Sequence, residues 1–225
     1  APFGDSINAR IEYAVSMLRL ILFEMYNNPQ KYASTYEMSD DEFKNMVFYY
    51  WTSIIYCRSK NDNNKIRNTF EQQANSGRLV NVPDACFNIV RMTGDENFSQ
   101  IKNTLNSMAI ERNKIKADNL ILATSTISHG VDSKDFNNIF FYGIPSNTAE
   151  YIQSYSRVGR TYTGMVIDII RLARNRDVSF LKYFNMMHSY KDYLIDETRL
   201  NYIISKMPSY NFNFIFFYNI LKLFF

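Results

Sequence analysis

The chain has 225 residues and a mass of 26.5 kDa, with 46% hydrophobic and 21% charged side chains, a globular balance that excludes wholesale disorder. Its net charge of +3, from 25 basic and 22 acidic residues, is too mild to mark a nucleic-acid binder by itself. Two cysteines, Cys57 and Cys86, and two histidines leave no zinc-ligand spacing and point to a reduced, cytoplasmic chain.

Apolar residues recur at helical spacing over 5–28 (Ile11, Val15, Leu18, Leu22, Met25), predicting an amphipathic helix that ends before Pro29. Residues 30–40 read as a loop. Ser39 and Glu42 then form the pattern of a capping box for a second helix running towards Tyr50. After Trp51 the rhythm changes. Short apolar runs at 51–57, 85–91, 119–123, 138–142 and 165–170 read as strands, and helices are expected at 61–73, 99–108 and 148–157. Strands alternating with helices, mostly apolar on both faces, imply an α/β fold with a parallel sheet covered on two sides. From Arg174 the pattern is helical again to about Ser205, and a Phe-rich stretch occupies 212–225. That stretch carries Asn213, Asn219 and Lys222 and is shorter than the ~20 residues a span needs, so no membrane association is expected. No signal peptide is read. The expected organisation is an N-terminal helical segment (1–50), the sheet domain (51–172) and a C-terminal helical extension (173–225).

Only 7 glycines occur, and Gly130, Gly143, Gly159 and Gly164 fall in one short window, the first place to look for special backbone geometry. In that window residues 123–132 (ATSTISHGVD) run from a strand into hydroxyls, a glycine and a carboxylate. Such a loop can present amides and hydroxyls to a phosphate, and Asp132 can accept from a ribose hydroxyl; a polar turn around Gly130 is the plainer alternative. Residues 151–160 (YIQSYSRVGR) follow another strand. Asn147 and Glu150 resemble a capping box, and Gln153, Arg157 and Arg160 share one stripe if the helix continues. Two guanidiniums a turn apart suit polyphosphate oxygens; a solvated surface pair is the alternative.

Together the two segments resemble motifs V and VI of superfamily 2 helicases, which lie in the second RecA-like domain. Motif VI of that family reads Gln-x-x-Gly-Arg-x-Gly-Arg; here Ser156 replaces the first glycine and both arginines stay in register. Over residues 119–190, TAEYIQSYSRVGR and RLARNRDVSFLKYF are similar to a narrower group, the large helicase-like subunits of DISARM phage-defence systems. The resemblance implies a RecA-like sheet and a DNA-directed, ATP-dependent motor. It implies that Arg160 is an arginine finger, that Arg157 contacts the γ-phosphate or couples it to motif V, that Gln153 sets interdomain geometry, and that Gly130 and Asp132 lie near the ribose. It further implies that Thr124 and Ser125, Arg58 and Ser59 of motif IV, and Thr93 and Gly94 face the nucleic-acid backbone.

No Gly-Lys pair of a phosphate-binding loop occurs in these residues. Asp40-Asp41-Glu42 follows a loop, and Asp196-Glu197 lies beyond motif VI, so neither reads as the metal-binding Asp-Glu box. ATP and Mg are therefore expected on a first RecA-like domain of the same protein, and the chain alone is expected to lack ATPase activity. Defence-system subunits are further expected partners. The alternative is a RecA-like nucleic-acid-binding or assembly module without catalysis. His129 is more readily a loop histidine than a ligand, and His188 a packing residue. Arg171, Arg174 and Arg176 form a basic cluster that either meets phosphate or is partly neutralised by Asp177.

Overall fold

Five short apolar runs lie side by side, and all four strand pairings are parallel. The computed structural model describes residues 6–75, 88–93, 119–125 and 133–194. Its strands are β1 (Ser53–Cys57), β2 (Asn88–Met92), β3 (Asn119–Ala123), β4 (Asn138–Tyr142) and β5 (Met165–Ile169), in the spatial order β2-β3-β1-β4-β5. Its helices are α1 (Ile7–Asn27), α2 (Asp40–Tyr49), α3 (Lys60–Asn75), α4 (Thr148–Tyr155), α5 (Asn175–Lys182) and α6 (Phe184–Ser189).

The central strand explains why the sequence shows runs rather than alternation: every residue of β1 is buried. Successive side chains point to opposite faces, and both faces are covered. On one face Tyr56, Ile121 and Phe141 meet Tyr151 of α4 and Phe180 of α5. On the other, Ile55, Leu122 and Phe140 meet Ile11 and Val15 of α1 and Ile66 and Phe70 of α3. The architecture is the expected α/β sheet with helices on both sides. Cys57, a free thiol on the second face, is fully buried, and burial pushes its pKa up, so it is an inert packing residue.

A smaller core joins α1 to α2 through Leu22, Phe43, Val47 and Trp51. Ser39 Oγ accepts the Glu42 amide at 3.4 Å and the Glu42 carboxylate accepts the Ser39 amide at 3.0 Å, closing the expected capping box. The side chain of Arg19 is buried with its guanidinium 4.7 Å from the Trp51 ring centre. Trp51 thus belongs to this core, and β1 starts two residues later than its apolar run suggests.

The predicted helix from Arg174 is divided at Tyr183, whose φ of −110° and ψ of 24° leave the helical region. The predicted helix over 99–108, the start of the strand over 85–91 and the stretch 212–225 lie outside the described residues. Among the described residues, no helix is long and apolar enough to cross a membrane.

Asn138 locks the entry to the sheet. Its buried side chain donates to the carbonyls of Tyr50 at 2.6 Å and Thr52 at 3.1 Å, joining β4 to the α2–β1 connection. Removing a donor from buried carbonyls costs about 1–3 kcal/mol. Asn138→Ala should therefore lower the urea midpoint at unchanged slope; an unchanged midpoint would show that these bonds hold nothing.

Candidate functional site

Parallel strands end on one edge, where open α/β sheets hold their ligands. At this carboxyl edge the Thr124 amide donates to the Met92 carbonyl at 3.3 Å, extending the β2–β3 ladder past the strands. Thr93 is fully buried, and its hydroxyl makes no hydrogen bond among the described residues; Thr124 is buried as well. Arg58, Ser59 and Ser125 are exposed. Ser59 also caps α3, its Oγ accepting the Asp62 amide at 3.1 Å. At the ends of β1, β2 and β3 the edge therefore shows solvent Arg58, Ser59 and Ser125, with the threonines beneath them. Gly94, His129, Gly130 and Asp132 lie outside the described residues.

The arginines of motif VI are elsewhere. Helix α4 starts near the carboxyl end of β4, where Asn147 Oδ1 accepts the Ala149 amide at 2.7 Å. Glu150 does not complete a capping box; its carboxylate accepts the Tyr56 hydroxyl and ties α4 to the central strand. Eight helical residues at ~1.5 Å each then carry the chain back across the sheet. The Gly159 amide donates to the Phe136 carbonyl at 3.0 Å, just ahead of the first residue of β4. The arginine loop thus sits on the amino edge, opposite Arg58. Strand-end reasoning located the start of α4 and missed where its eight residues lead.

The helix also stops at Tyr155, so Gln153, Arg157 and Arg160 do not share one helical stripe. Gln153 is exposed on its last turn, Arg157 lies in the following turn, and Arg160 stands exposed beyond Gly159. Gly159 has φ +83°, and a Cβ there would lie 2.6 Å from the Gly164 nitrogen and 2.8 Å from its Cα. Neither the conformation nor the approach admits a side chain. Gly164 faces it across the loop, so these two glycines work as a pair.

The rest of the loop is pinned on several sides. Thr161 Oγ1 donates to the Lys134 carbonyl at 3.1 Å, and the Met165 amide to the Asn137 carbonyl at 2.7 Å. From α2 and its cap, the Tyr50 hydroxyl donates to the Thr163 carbonyl at 2.6 Å, and the Tyr49 ring meets Tyr162 edge-on at 5.2 Å. Residues 134–137 follow directly on motif V. The segment leaving motif V is therefore bonded at three points to motif VI and the residues that follow it, through Gly159, Thr161 and Met165. Tyr49 and Tyr50 carry no sequence signal of this role, because aromatic residues at a helix end usually announce only packing.

Within β5, Asp168 Oδ2 accepts the Tyr151 hydroxyl at 2.9 Å, and His188 Nε2 lies 3.4 Å from the same hydroxyl. The His188 ring packs against Phe184 at 4.1 Å and Phe180 at 5.7 Å, the packing role expected of it. Burial raises the Asp168 pKa, only partly opposed by the Tyr151 hydrogen bond and the His188 charge. In the basic cluster, Arg171 pairs with Asp62 at 3.0 Å and Arg174 with the fully buried Asp177 at 3.6 Å.

A parallel five-stranded sheet covered on both faces, with a glycine-gated arginine loop on one edge and hydroxyls with an arginine on the other, makes this a RecA-like α/β domain. The chain belongs to the helicase conserved C-terminal domain family, whose model matches residues 46–162, just over half of its length. A stretch of 79 residues, 35% of the chain, is 38% identical to the DISARM protein DrmA of Bacillus paralicheniformis, and spans only 7% of that relative's length. Among solved structures, the chain is similar to the C-terminal domain of the DEAD-box protein Dbp5, with 17% identity and a TM-score of 0.45 over 60% of this chain and 71% of that one. It is also similar to the Mycobacterium smegmatis helicase Lhr, with 14% identity and a TM-score of 0.48 over 72% of this chain and 20% of that one. Likeness at this level carries no argument about function.

Two outcomes follow from this geometry. Gly159→Ala should lower the unfolding midpoint clearly, because strain at φ +83° adds to a backbone clash. A variant as stable as the parent would show that the loop has other conformations available. The native Asp168 pKa is raised above the ~3.9 of an unfolded aspartate. Folding then takes up a proton between those values, and stability falls as the pH rises across that window. Asp168→Asn, which keeps an acceptor for Tyr151, should flatten that decline in a series of urea melts. An unaltered pH dependence would place the titration elsewhere.

Proposed function

We propose that this chain is the second RecA-like domain of an ATP-dependent, DNA-directed helicase or translocase that acts in phage defence. The observation that carries this reading is the arginine loop: Arg160 is exposed on a backbone fixed by Gly159–Phe136, Thr161–Lys134 and Tyr50–Thr163 bonds. A guanidinium held on such a support, rather than on a mobile loop, suits an anion whose charge develops in one place. Arg160 then acts as the arginine finger on a γ-phosphate held by another RecA-like domain, and Arg157 contacts that phosphate or couples it to motif V. Gln153, exposed one turn earlier, sets the geometry between the two domains. Gly130 and Asp132 lie near the nucleotide ribose.

ATP and Mg fit this division of labour. Among the described residues no group of three His, Cys, Asp or Glu side chains could hold a metal ion. What the chain offers is positive charge for the far side of a nucleotide whose metal and phosphate loop reside mainly on the partner domain. The bound nucleotide supplies the phosphoryl group; this chain's arginines stabilise its charge and report nucleic-acid binding through motif V. The carboxyl edge takes the DNA backbone through Arg58, Ser59, Ser125, Gly94 and, with local rearrangement, the buried Thr93 and Thr124. These contacts give affinity without reading sequence. Subunits of a DISARM-like defence system are the proposed partners, motivated by the DrmA similarity. A non-catalytic assembly module is the weaker reading, because such a role gives no reason for the paired glycines beside two arginines.

The test is DNA-stimulated ATP turnover by the full-length protein. Arg160→Ala should lower kcat by about 10³-fold or more, as arginine fingers do, and Arg157→Ala should also be strongly impaired. Undiminished turnover in both variants would refute the catalytic assignment. The 225-residue chain alone should show no hydrolysis; activity lost on Arg160→Ala would show that it carries a complete site.

A further inference from the structure

The carboxyl edge continues past Arg58 in a direction that the helicase motifs do not cover. Beyond β1 the strand order runs to β4 and β5, so at ~4.8 Å per strand the end of β5 lies about 10 Å further along the same edge. A bonded network covers that corner. Arg171 Nη2 donates to the Asp62 carboxylate at 3.0 Å and to the Tyr142 carbonyl at 3.1 Å, with its guanidinium 4.1 Å from the Tyr142 ring centre. The Arg171 amide donates to Asp177 Oδ2 at 3.1 Å. Asp177, fully buried in the first turn of α5, thereby clamps that turn to the edge, and Arg174 neutralises it at 3.6 Å.

Four guanidiniums (Arg58, Arg171, Arg174, Arg176) meet three carboxylates here (Asp62, Glu150, Asp177). Two arginines are paired, and the Glu150 carboxylate is engaged by the Tyr56 hydroxyl. Arg176 forms no ion pair among the described residues, is half-buried, lines a cavity together with Ile144, Tyr151 and Phe180, and feels the charges of Arg174, Asp177, Arg58 and Glu150. Burial first, then the Arg174 and Arg58 charges, disfavour its charged form and are only partly opposed by Asp177 and Glu150, a penalty that an added anion would relieve.

We propose that the nucleic-acid backbone track extends past Arg58 onto the first turn of α5, where Arg176, supported by the Arg171–Asp177–Arg174 clamp, takes a further phosphate. This rests on the reading of Arg58, Ser59 and Ser125 as backbone contacts. It adds a contact from residues beyond the 46–162 family match. Arg176 binds phosphate, and Asp177 and Arg171 are positioning residues that hold its turn in place.

The test measures binding of a labelled single-stranded oligodeoxythymidylate to the 225-residue chain by fluorescence anisotropy across a salt series. Arg176→Ala should weaken binding about 3- to 10-fold at low salt and reduce the slope of log K against log salt by ~0.7, the loss of one phosphate contact. Arg176→Lys should retain most of the slope. Thermal melts accompany each variant, and Arg176→Gln, which keeps the stem and hydrogen-bonding atoms, replaces alanine if that variant does not fold. If Arg58→Ala weakens binding while Arg176→Ala and Arg176→Gln match the parent in affinity and slope, the extension is wrong and the underlying track stands. If Arg58→Ala also leaves binding unchanged, the track itself fails. Inorganic pyrophosphate should compete no better than its ionic strength accounts for; selective displacement that depends on Arg176 would assign a small-anion site and overturn the proposal.

Discussion

The close approach of Gly159 to Gly164 is the constraint on which the functional geometry depends. With φ +83° and space for no Cβ, Gly159 reverses the chain just past α4 and aims its amide at the Phe136 carbonyl. That single bond sets the arginine loop against the segment emerging from motif V. The Thr161–Lys134 and Met165–Asn137 bonds then repeat the attachment on either side of Gly164. Under the proposed function, a signal passing between a nucleotide at motif VI and nucleic acid at motif V would have a short, hydrogen-bonded route here. Glycine is scarce in this chain, and both members of this pair fall where backbone meets backbone.

The sheet separates the two groups of candidate residues. A parallel arrangement gives one edge to all strand carboxyl ends, and Arg58, Ser59 and Ser125 occupy it. Helix α4, tied to β1 through Glu150 and Tyr56, crosses one face and delivers the arginines to the opposite edge. Because β1 is buried on both faces and paired on both sides, the structure between the two groups is a packed core. Displacement of one edge is therefore transmitted to the other as a movement of the whole unit rather than absorbed locally.

Much of this was legible in the residues. Strands buried on two faces read as apolar runs, so β1, β3, β4 and β5 were placed closely, and the capping box at Ser39 marked α2. Arg157, Gly159 and Arg160 stood out because motif spacing records a backbone requirement directly. What escaped was long-range. Helix α4 ends at Tyr155, where the Arg157 and Val158 amides turn to carbonyls three residues back ahead of Gly159, and residue spacing does not show it. Glu150 serves Tyr56 across 94 residues rather than its own helix cap, a choice that no local pattern reveals. Asp177 reads as a surface carboxylate in a basic stretch, yet it is fully buried because the Arg171 amide and the Arg174 guanidinium converge on it. Thr93 shows the converse, a polar residue expected to face a ligand that lies beneath the surface.

The division of the two edges is most directly tested by measuring DNA affinity and ATP turnover side by side in the full-length protein for Arg58→Ala and Arg160→Ala. The expected result is a clean exchange: Arg160→Ala abolishes turnover while binding DNA within about twofold of the parent. Arg58→Ala weakens DNA binding while retaining near-parental turnover at saturating DNA. If instead Arg160→Ala lost DNA affinity and kept its turnover, or the two variants lost both functions in equal measure, the assignment of one edge to nucleotide and the other to nucleic acid would be contradicted.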